Sequence, residues 1–230
     1  MNTDTPEIDS KRYTRQADIV PTERMANLTV TVVGVGAIGR QVALQLAAMG
    51  ISKLQLIDFD RVEIENLCCQ GYLENDLEML KVDATARMCW LINSQVTVEQ
   101  VGERFQRSAA VGDVLFCCVD SIDVRKFIWQ AVKDRVSVFV DTRMSASVAR
   151  VIAVVDSAGR EHYPTTLFGA GEAYQGSCTA KSTIYTANIA AGLAIAQFTK
   201  WLCSLPVDPD ICLNILASEM SCNAEGRGHD

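Results

Sequence analysis

The stretch LTVTVVGVGAIGRQVALQLAAMG, residues 28–50, decides how the rest of the chain is read. Its opening run, up to Val33, is apolar and β-branched, as in a strand buried on both faces. From Ala37 the apolar residues recur at helical spacing until Gly50, a glycine stop. Between the two, Gly34, Gly36 and Gly39 form GxGxxG, and the next strand-like run, KLQLIDF (53–59), carries the acid Asp58 near its end. Glycine allows a tight turn and close backbone approach, a helix N-terminus attracts phosphate, and a carboxylate accepts hydrogen bonds from ribose hydroxyls. The pattern points to a nucleotide site. The competing reading is that the glycines only let helix and strand pack.

Outward from this unit, strand-like and helix-like segments alternate. A helix pattern covers 74–93, followed by the strands QVTVEQV (95–101) and DVLFCCV (113–119), the helix SIDVRKFIWQAVKD (121–134) and the strand VSVFVDT (136–142). Such alternation predicts an α/β fold with a doubly wound, mostly parallel sheet. The pattern then changes. ARVIAVVDSAGREHY (149–163) reads as a hairpin turning at Ser157-Ala158-Gly159, which predicts antiparallel strands added in the C-terminal part. A polar stretch, 164–180, reads as a loop before the long apolar helix 182–202; ICLNILA (211–217) reads as a last strand, and residues 1–11 and 221–230 as flexible ends of a single domain, 1–230.

Composition narrows the functional classes. With 230 residues, 49% of them hydrophobic, the chain is long enough for one sizeable core. No apolar run reaches the roughly 18 residues of a membrane span and no signal-peptide pattern opens the chain, so a cytoplasmic protein with no membrane role is expected. A net charge of -7 disfavours a nucleic-acid partner, which would call for a basic face. Nine cysteines without a CxxC spacing suit reduced thiols better than disulfides or a tetrahedral zinc site.

Five segments occur in the order and approximate spacing of one known superfamily: RYTRQ (12–16), GVGAIG (34–39), DFDRVEIENLCCQ (58–70), Lys81 near a helix start, and CCVDSIDVR (117–125). On them the chain resembles the ThiF/MoeB and ubiquitin-activating enzymes over roughly residues 12–200. The resemblance implies a Rossmann-like sheet and an adenylyltransferase that uses ATP and Mg²⁺ to adenylate the C-terminal carboxylate of a small ubiquitin-like or sulfur-carrier protein, as a homodimer. It makes Asp58 the ribose ligand, Asn66, Lys81 and Arg15 phosphate contacts, with Arg15 reaching the other subunit's site, and Asp120 the magnesium ligand. Each has a plainer rival: Lys81 a solvated helix lysine, Asp120 a helix N-cap, Arg15 an arm charge, Asn66 a turn residue accepting a backbone bond. The chemistry itself asks for cations, because a carboxylate attacking the α-phosphate of ATP is an anion approaching a polyanion. No general base is required, since that carboxylate is already ionised.

One position departs from the family pattern. Cys69 stands where the family usually has arginine, and a thiol cannot replace a bidentate guanidinium on phosphate. Either the site is degenerate, like that of a non-catalytic partner subunit, or the charge has moved to Arg143 or Arg40; the joint presence of Asp58, Asn66, Lys81 and Asp120 favours relocation and an active enzyme. Cys178, just before the apolar helix and near Lys181, is a candidate nucleophile that would take the activated acyl group as a thioester, against a buried structural thiol, which suits Cys89, Cys117, Cys118 and Cys203. Activation of a peptide or tRNA-linked carboxylate and an NAD-dependent dehydrogenase are the remaining alternatives.

Overall fold

The computed structural model describes residues 11–167 and 182–222. Cys178, Lys181 and the ends 1–10 and 223–230 lie outside the described residues. Eight strands among the described residues, numbered in chain order and ending with β6 (Val148–Val154), β7 (Asp210–Asn214) and β8 (Glu219–Cys222), form one sheet in the order β3-β2-β1-β4-β5-β6-β7-β8. The parallel part comprises β1 (Thr29–Val33), β2 (Lys53–Ile57), β3 (Thr97–Val101), β4 (Val114–Cys117) and β5 (Val138–Ser145). The chain builds outward from β1 to β3, then returns to start β4 on the other side of β1, so the strand order reverses between β1 and β4. A crevice at such a switch point, beyond the carboxyl ends of the strands, is where α/β sheets bind ligands.

Helices cover the two faces unequally. After α1 (Thr22–Ala26), the crossover helices α2 (Ala37–Met49) and α4 (Lys81–Ile92) lie on the face where Val30, Val32, Leu54, Leu56 and Phe116 form a buried cluster. The long α7 (Ile184–Leu202) packs on that face too, against α2, β5 and β6, with Phe198 fully buried edge-on to Phe116. On the opposite face α5 (Ile122–Val132) closes a second cluster in which Trp129, Phe139 and Tyr163 meet ring to ring. The alternation of β4 and β5 between these clusters is why both strands read as continuous apolar runs. None of the described helices is long and apolar enough to cross a membrane.

Two expected elements differ. The helix pattern 74–93 resolves into a 3-10 turn, Glu74–Asp76, and a helix that begins only at Lys81. Glu78 has a left-handed φ of 66° and Asp76 turns its carboxylate back onto the Leu73 N–H at 2.9 Å, so the chain cannot enter the helix earlier. The antiparallel hairpin exists but turns elsewhere: β5 pairs with β6 (Val148–Val154) through Ala146 and Ser147, not at Ser157-Ala158-Gly159. Those three residues open α6 (Ser157–His162), because Asp156 accepts from the Gly159 N–H at 2.8 Å as an N-cap. The strand β7 (Asp210–Asn214) continues the antiparallel part and β8 (Glu219–Cys222) ends it, so residues 221 and 222 are strand and not flexible tail. A short helix, α3 (Ile64–Gln70), stops at Gly71 with φ 74°.

Asp210 fastens the antiparallel part to α6. Its carboxylate takes a two-pronged contact from Arg150 on β6 (2.8 and 2.6 Å) and lies 3.0 Å from His162 Nε2. Burial pulls this carboxyl upward, and the hydrogen bonds from Arg150 and His162 more than reverse it, leaving the group below the usual carboxylate range. A carboxyl depressed in the folded state stabilises the fold above its unfolded pKa of about 3.9, and that contribution is lost as pH falls through the lower folded value. Asp210→Asn is therefore expected to lower Tm most at pH 7, with the gap to wild type narrowing below about pH 4 as the native carboxyl also protonates. Thermal unfolding of both proteins from pH 3 to 7 checks this; a gap independent of pH would contradict it.

Candidate functional site

The turn between β1 and α2 is held so closely that two of its glycines have no substitute. Gly34 has φ 83°, and a Cβ there would lie 2.9 Å from the Cys118 carbonyl oxygen. A Cβ on Gly39 would lie 1.8 Å from the Gly34 carbonyl oxygen. Gly36 differs: the nearest atom to an added Cβ is Gln70 Oε1 at 3.7 Å, so packing within the protein does not demand glycine there. Gly36 is the N-cap residue of α2 and carries no side chain over the helix start, so the first N–H groups of α2 have only the Gln70 side chain near them, and a helix start of this kind is where phosphate approaches the backbone.

Asp58 reaches back across this turn from the end of β2. Its Oδ2 accepts from the Val35 N–H at 2.8 Å and its Oδ1 from the Asp60 N–H at 2.9 Å. Burial raises its pKa, opposed by those two bonds and by the Lys81 charge. Each carboxylate oxygen keeps lone pairs for a further donor, as a ribose hydroxyl would supply. Lys81 opens α4 at the same edge. It is only 7% exposed, its N–H donates to the Asp60 carbonyl at 2.9 Å, and its ammonium lies 3.3 Å from Asp60 Oδ2. A lysine so covered, between two aspartates, is not a solvated helix lysine. Asp120 lies three residues beyond the end of β4 and is exposed. The N-cap of α5 is Ser121, whose Oγ accepts from the Val124 N–H at 3.4 Å, so Asp120 is free of that duty. The structure thus brings Gly34, Gly36, Gly39, Asp58, Lys81 and Asp120 to the carboxyl edge of the sheet around the switch point.

Three other expected residues fare differently. Asn66 sits in the first turn of α3, where its Oδ1 accepts from the Glu63 N–H at 3.1 Å, the backbone role that was the plainer of its two readings. Arg15 is exposed on an N-terminal arm whose neighbours are tied down: Arg12 donates to the Ile92 carbonyl at 2.9 Å, Gln16 to the Met49 carbonyl at 2.7 Å, and Tyr13 packs on Gly50. Cys178 lies outside the described residues. Among the described thiols, burial pushes Cys89 up to about 12 and Cys117 and Cys118 up to about 11, so these three are inert.

Neither arginine proposed to replace the missing guanidinium is available. Alternation along β5 puts Arg143 on the face of Asp141 and Phe139, away from α2. There Nε donates to Asp141 Oδ2 at 2.9 Å, and Nη1 and Nη2 donate to the carbonyl and hydroxyl oxygens of Thr166 at 2.7 and 3.0 Å. Arg143 fastens β5 to the turn at Tyr163–Thr166 instead of facing the crevice. Arg40 is 1% exposed, donates to the Gly71 carbonyl at 3.2 and 2.9 Å, and lies 4.4 Å from the centre of the Tyr72 ring. Cys69 itself is bonded to the Glu65 carbonyl one helical turn back, at 3.2 Å. Relocation of the charge to Arg143 or Arg40 is therefore corrected by the structure.

Sequence reasoning missed Asp60, the partner of Lys81, and the buried ion pair of Arg125 with Asp141. The pair left a signal: an aspartate inside the apolar run VFVDT needs a buried cation, and Arg125 lies in the motif that precedes it. With Tyr163 also donating to Asp141 at 2.9 Å, this network braces the ends of β4 and β5 beneath Asp120.

Comparison with known proteins agrees with this architecture. Ubiquitin-like modifier-activating enzyme 5 of Drosophila ananassae is 31% identical over 151 residues, covering 56% of this chain and 38% of its own length. The Caenorhabditis elegans protein of that name is 29% identical over 139 residues, covering 54% and 33%. The chain thus spans little more than a third of these relatives. Among solved structures, Escherichia coli MccB bound to ATP superposes with a TM-score of 0.76 at 19% identity, over 96% of this chain and 74% of MccB. PaaA superposes with a TM-score of 0.76 at 22% identity, over 95% and 73%. At those identities the superpositions establish the fold: the mostly parallel sheet with its antiparallel C-terminal additions. The profile of the ThiF family matches residues 11–217, most of the length of the protein, and the chain belongs to that family.

Proposed function

We propose that the protein is an ATP-dependent adenylyltransferase that activates the C-terminal carboxylate of a small ubiquitin-like or sulfur-carrier protein. The observation that carries this reading is the buried Lys81 ammonium beside Asp58 and Asp60, at the rim of the glycine turn that opens α2. A dehydrogenase binding a dinucleotide needs no such lysine, whereas attack on an α-phosphate does. Asp58 would hold the ribose, the N–H groups that open α2 the phosphates, and Lys81 the charge that develops as pyrophosphate leaves. The incoming carboxylate oxygen bonds to the α-phosphorus, the bond to the bridging oxygen breaks, and no proton has to move.

Magnesium fits the residues present only in a limited way. Among the described residues no group of three or more His, Cys, Asp or Glu side chains is gathered as a metal cage. Mg²⁺ commonly keeps water and takes one or two carboxylates plus substrate phosphates, and the exposed Asp120, in the loop just beyond β4, would offer one such carboxylate. When bound, the ion would offset phosphate charge.

The anchoring of Arg12, Tyr13 and Gln16 supports a role for Arg15 outside its own subunit, since the arm is fixed while Arg15 faces outward; a homodimer would let it supply charge to the partner's site. Cys178 remains the proposed acceptor in a second step, its thiolate attacking the acyl adenylate carbonyl with release of AMP to give a thioester. The positions of Cys69, Arg143 and Arg40 favour a second reading, a catalytically silent nucleotide-binding subunit, because neither of these two arginines replaces the missing guanidinium at the crevice.

ATP–pyrophosphate exchange tests the first reading, with ubiquitin-fold proteins and short peptides bearing a free C-terminal carboxylate as substrates. Lys81→Ala and Asp120→Ala are each expected to lower exchange by about 100-fold or more, the scale on which preorganised charge contacts act; near-normal exchange in both would refute their assignment. A wild type that exchanges with no substrate while Cys69→Arg does would identify the silent subunit. Cys178→Ala is expected to leave exchange intact and to abolish a thiol-sensitive adduct between enzyme and carrier. An adduct that survives the substitution rules Cys178 out.

A further inference from the structure

Tyr72 lies just beyond α3 and is 4% exposed, in a small apolar cluster with Val62 and Ala84. Its hydroxyl is 2.6 Å from the Val35 carbonyl, 3.1 Å from Thr85 Oγ1 and 3.4 Å from the Lys81 carbonyl. One phenolic proton serves one strong bond, and the short separation assigns it to Val35; the Thr85 hydroxyl then donates back to the phenol. Burial pushes this phenol above its usual range, so the donor proton is retained at any working pH. Val35 is the middle residue between Gly34 and Gly36, and its two backbone groups are gripped from opposite sides: the N–H by Asp58 at 2.8 Å, the C=O by Tyr72. Lys81 and Thr85 stand one helical turn apart on α4, so the same hydroxyl also touches the turn from which the Lys81 side chain emerges. The ring is seated in its turn by the Arg40 guanidinium, which is held on the Gly71 carbonyl next to it in sequence.

We propose that Tyr72 is a positioning residue whose hydroxyl sets the spacing between the glycine turn and Lys81, the two elements read above as phosphate-binding. The role rests on that reading for its catalytic meaning, while the clamp itself is a property of the protein without nucleotide. Phenylalanine would keep the ring, its packing and the Arg40 contact, and remove only the bond to Val35 and the link to α4. A side chain that mattered only for filling space would tolerate that change.

The test is hydrogen–deuterium exchange on the full chain without nucleotide, combined with ATP titration. In Tyr72→Phe, amides in 34–39 and 81–85 are expected to exchange about tenfold faster, the effect of losing one buried hydrogen bond, while 114–117 and 138–145 stay as protected as in wild type. Thr85→Val, which spares the Val35 bond, should loosen 81–85 but not 34–39. ATP should bind about tenfold more weakly to Tyr72→Phe than to wild type, and the loss should be smaller in a Lys81→Ala background, since residues acting through one another are not additive. Unchanged protection in both segments, or faster exchange spread evenly over the sheet, would overturn the clamp. Local loosening in a protein whose wild type binds no ATP would uphold the clamp and overturn the adenylation reading instead.

Discussion

The rest of the structure depends on how closely the turn after β1 approaches β4 and the first turn of α2. Gly39 has no room for a single carbon beside the Gly34 carbonyl, and Gly34 itself presses on the backbone of Cys118. That contact fixes where α2 leaves the sheet, and with it the crevice at the switch point between β1 and β4. Asp58 from β2 then closes on the Val35 N–H, and Tyr72 on its carbonyl, so the turn is fixed by hydrogen bonds from both flanks. A turn gripped from both flanks results, with Gly36 as the glycine whose neighbours would tolerate a Cβ.

Much of the fold was legible in the sequence because hydrophobic periodicity and glycine placement both reported it. The central strands β4 and β5 begin as apolar runs since helices cover both faces there, and α2 announced its end at Gly50, whose φ of 101° only glycine tolerates well. The hairpin was legible as an event but not in position. Its real turn, Ala146-Ser147, carries no glycine, asparagine or proline, and Ala146 adopts φ 51° under the pull of seven paired residues on either side. Ser157-Ala158-Gly159 looked like a turn on composition, yet Asp156 one residue earlier makes it a capped helix start. Composition marks where a chain can turn; tertiary pairing decides which of those places it uses.

The candidate site divides along similar lines. The placement of the glycines and of Asp58 was readable because their contacts are local to one strand–turn–helix unit and the strand beside it. Lys81 and Asp120 needed the family pattern, since their meaning comes from where separate segments meet. The fate of Arg143 could not be read from its position near the end of a strand: side-chain alternation sends it to Asp141 and Thr166, on the far face. Arg40 was similarly misread, because its place four residues after Gly36 turns it inward over Tyr72. With Arg143 and Arg40 engaged elsewhere, Lys81 is the cation placed beside Asp58 and Asp60, which is why the proposal gives weight to the outward-facing Arg15 and to Asp120 as a carboxylate for magnesium.

The central claim is that this turn, with Asp58 and Lys81, is a site for ATP. Calorimetric titration of the full chain with ATP, with and without MgCl2, and with NAD under identical conditions, tests it most directly. The account predicts saturable binding of ATP, tighter with Mg²⁺ and in preference to NAD. Binding of NAD in preference to ATP, or no binding of ATP at millimolar concentration to a folded protein, would contradict it.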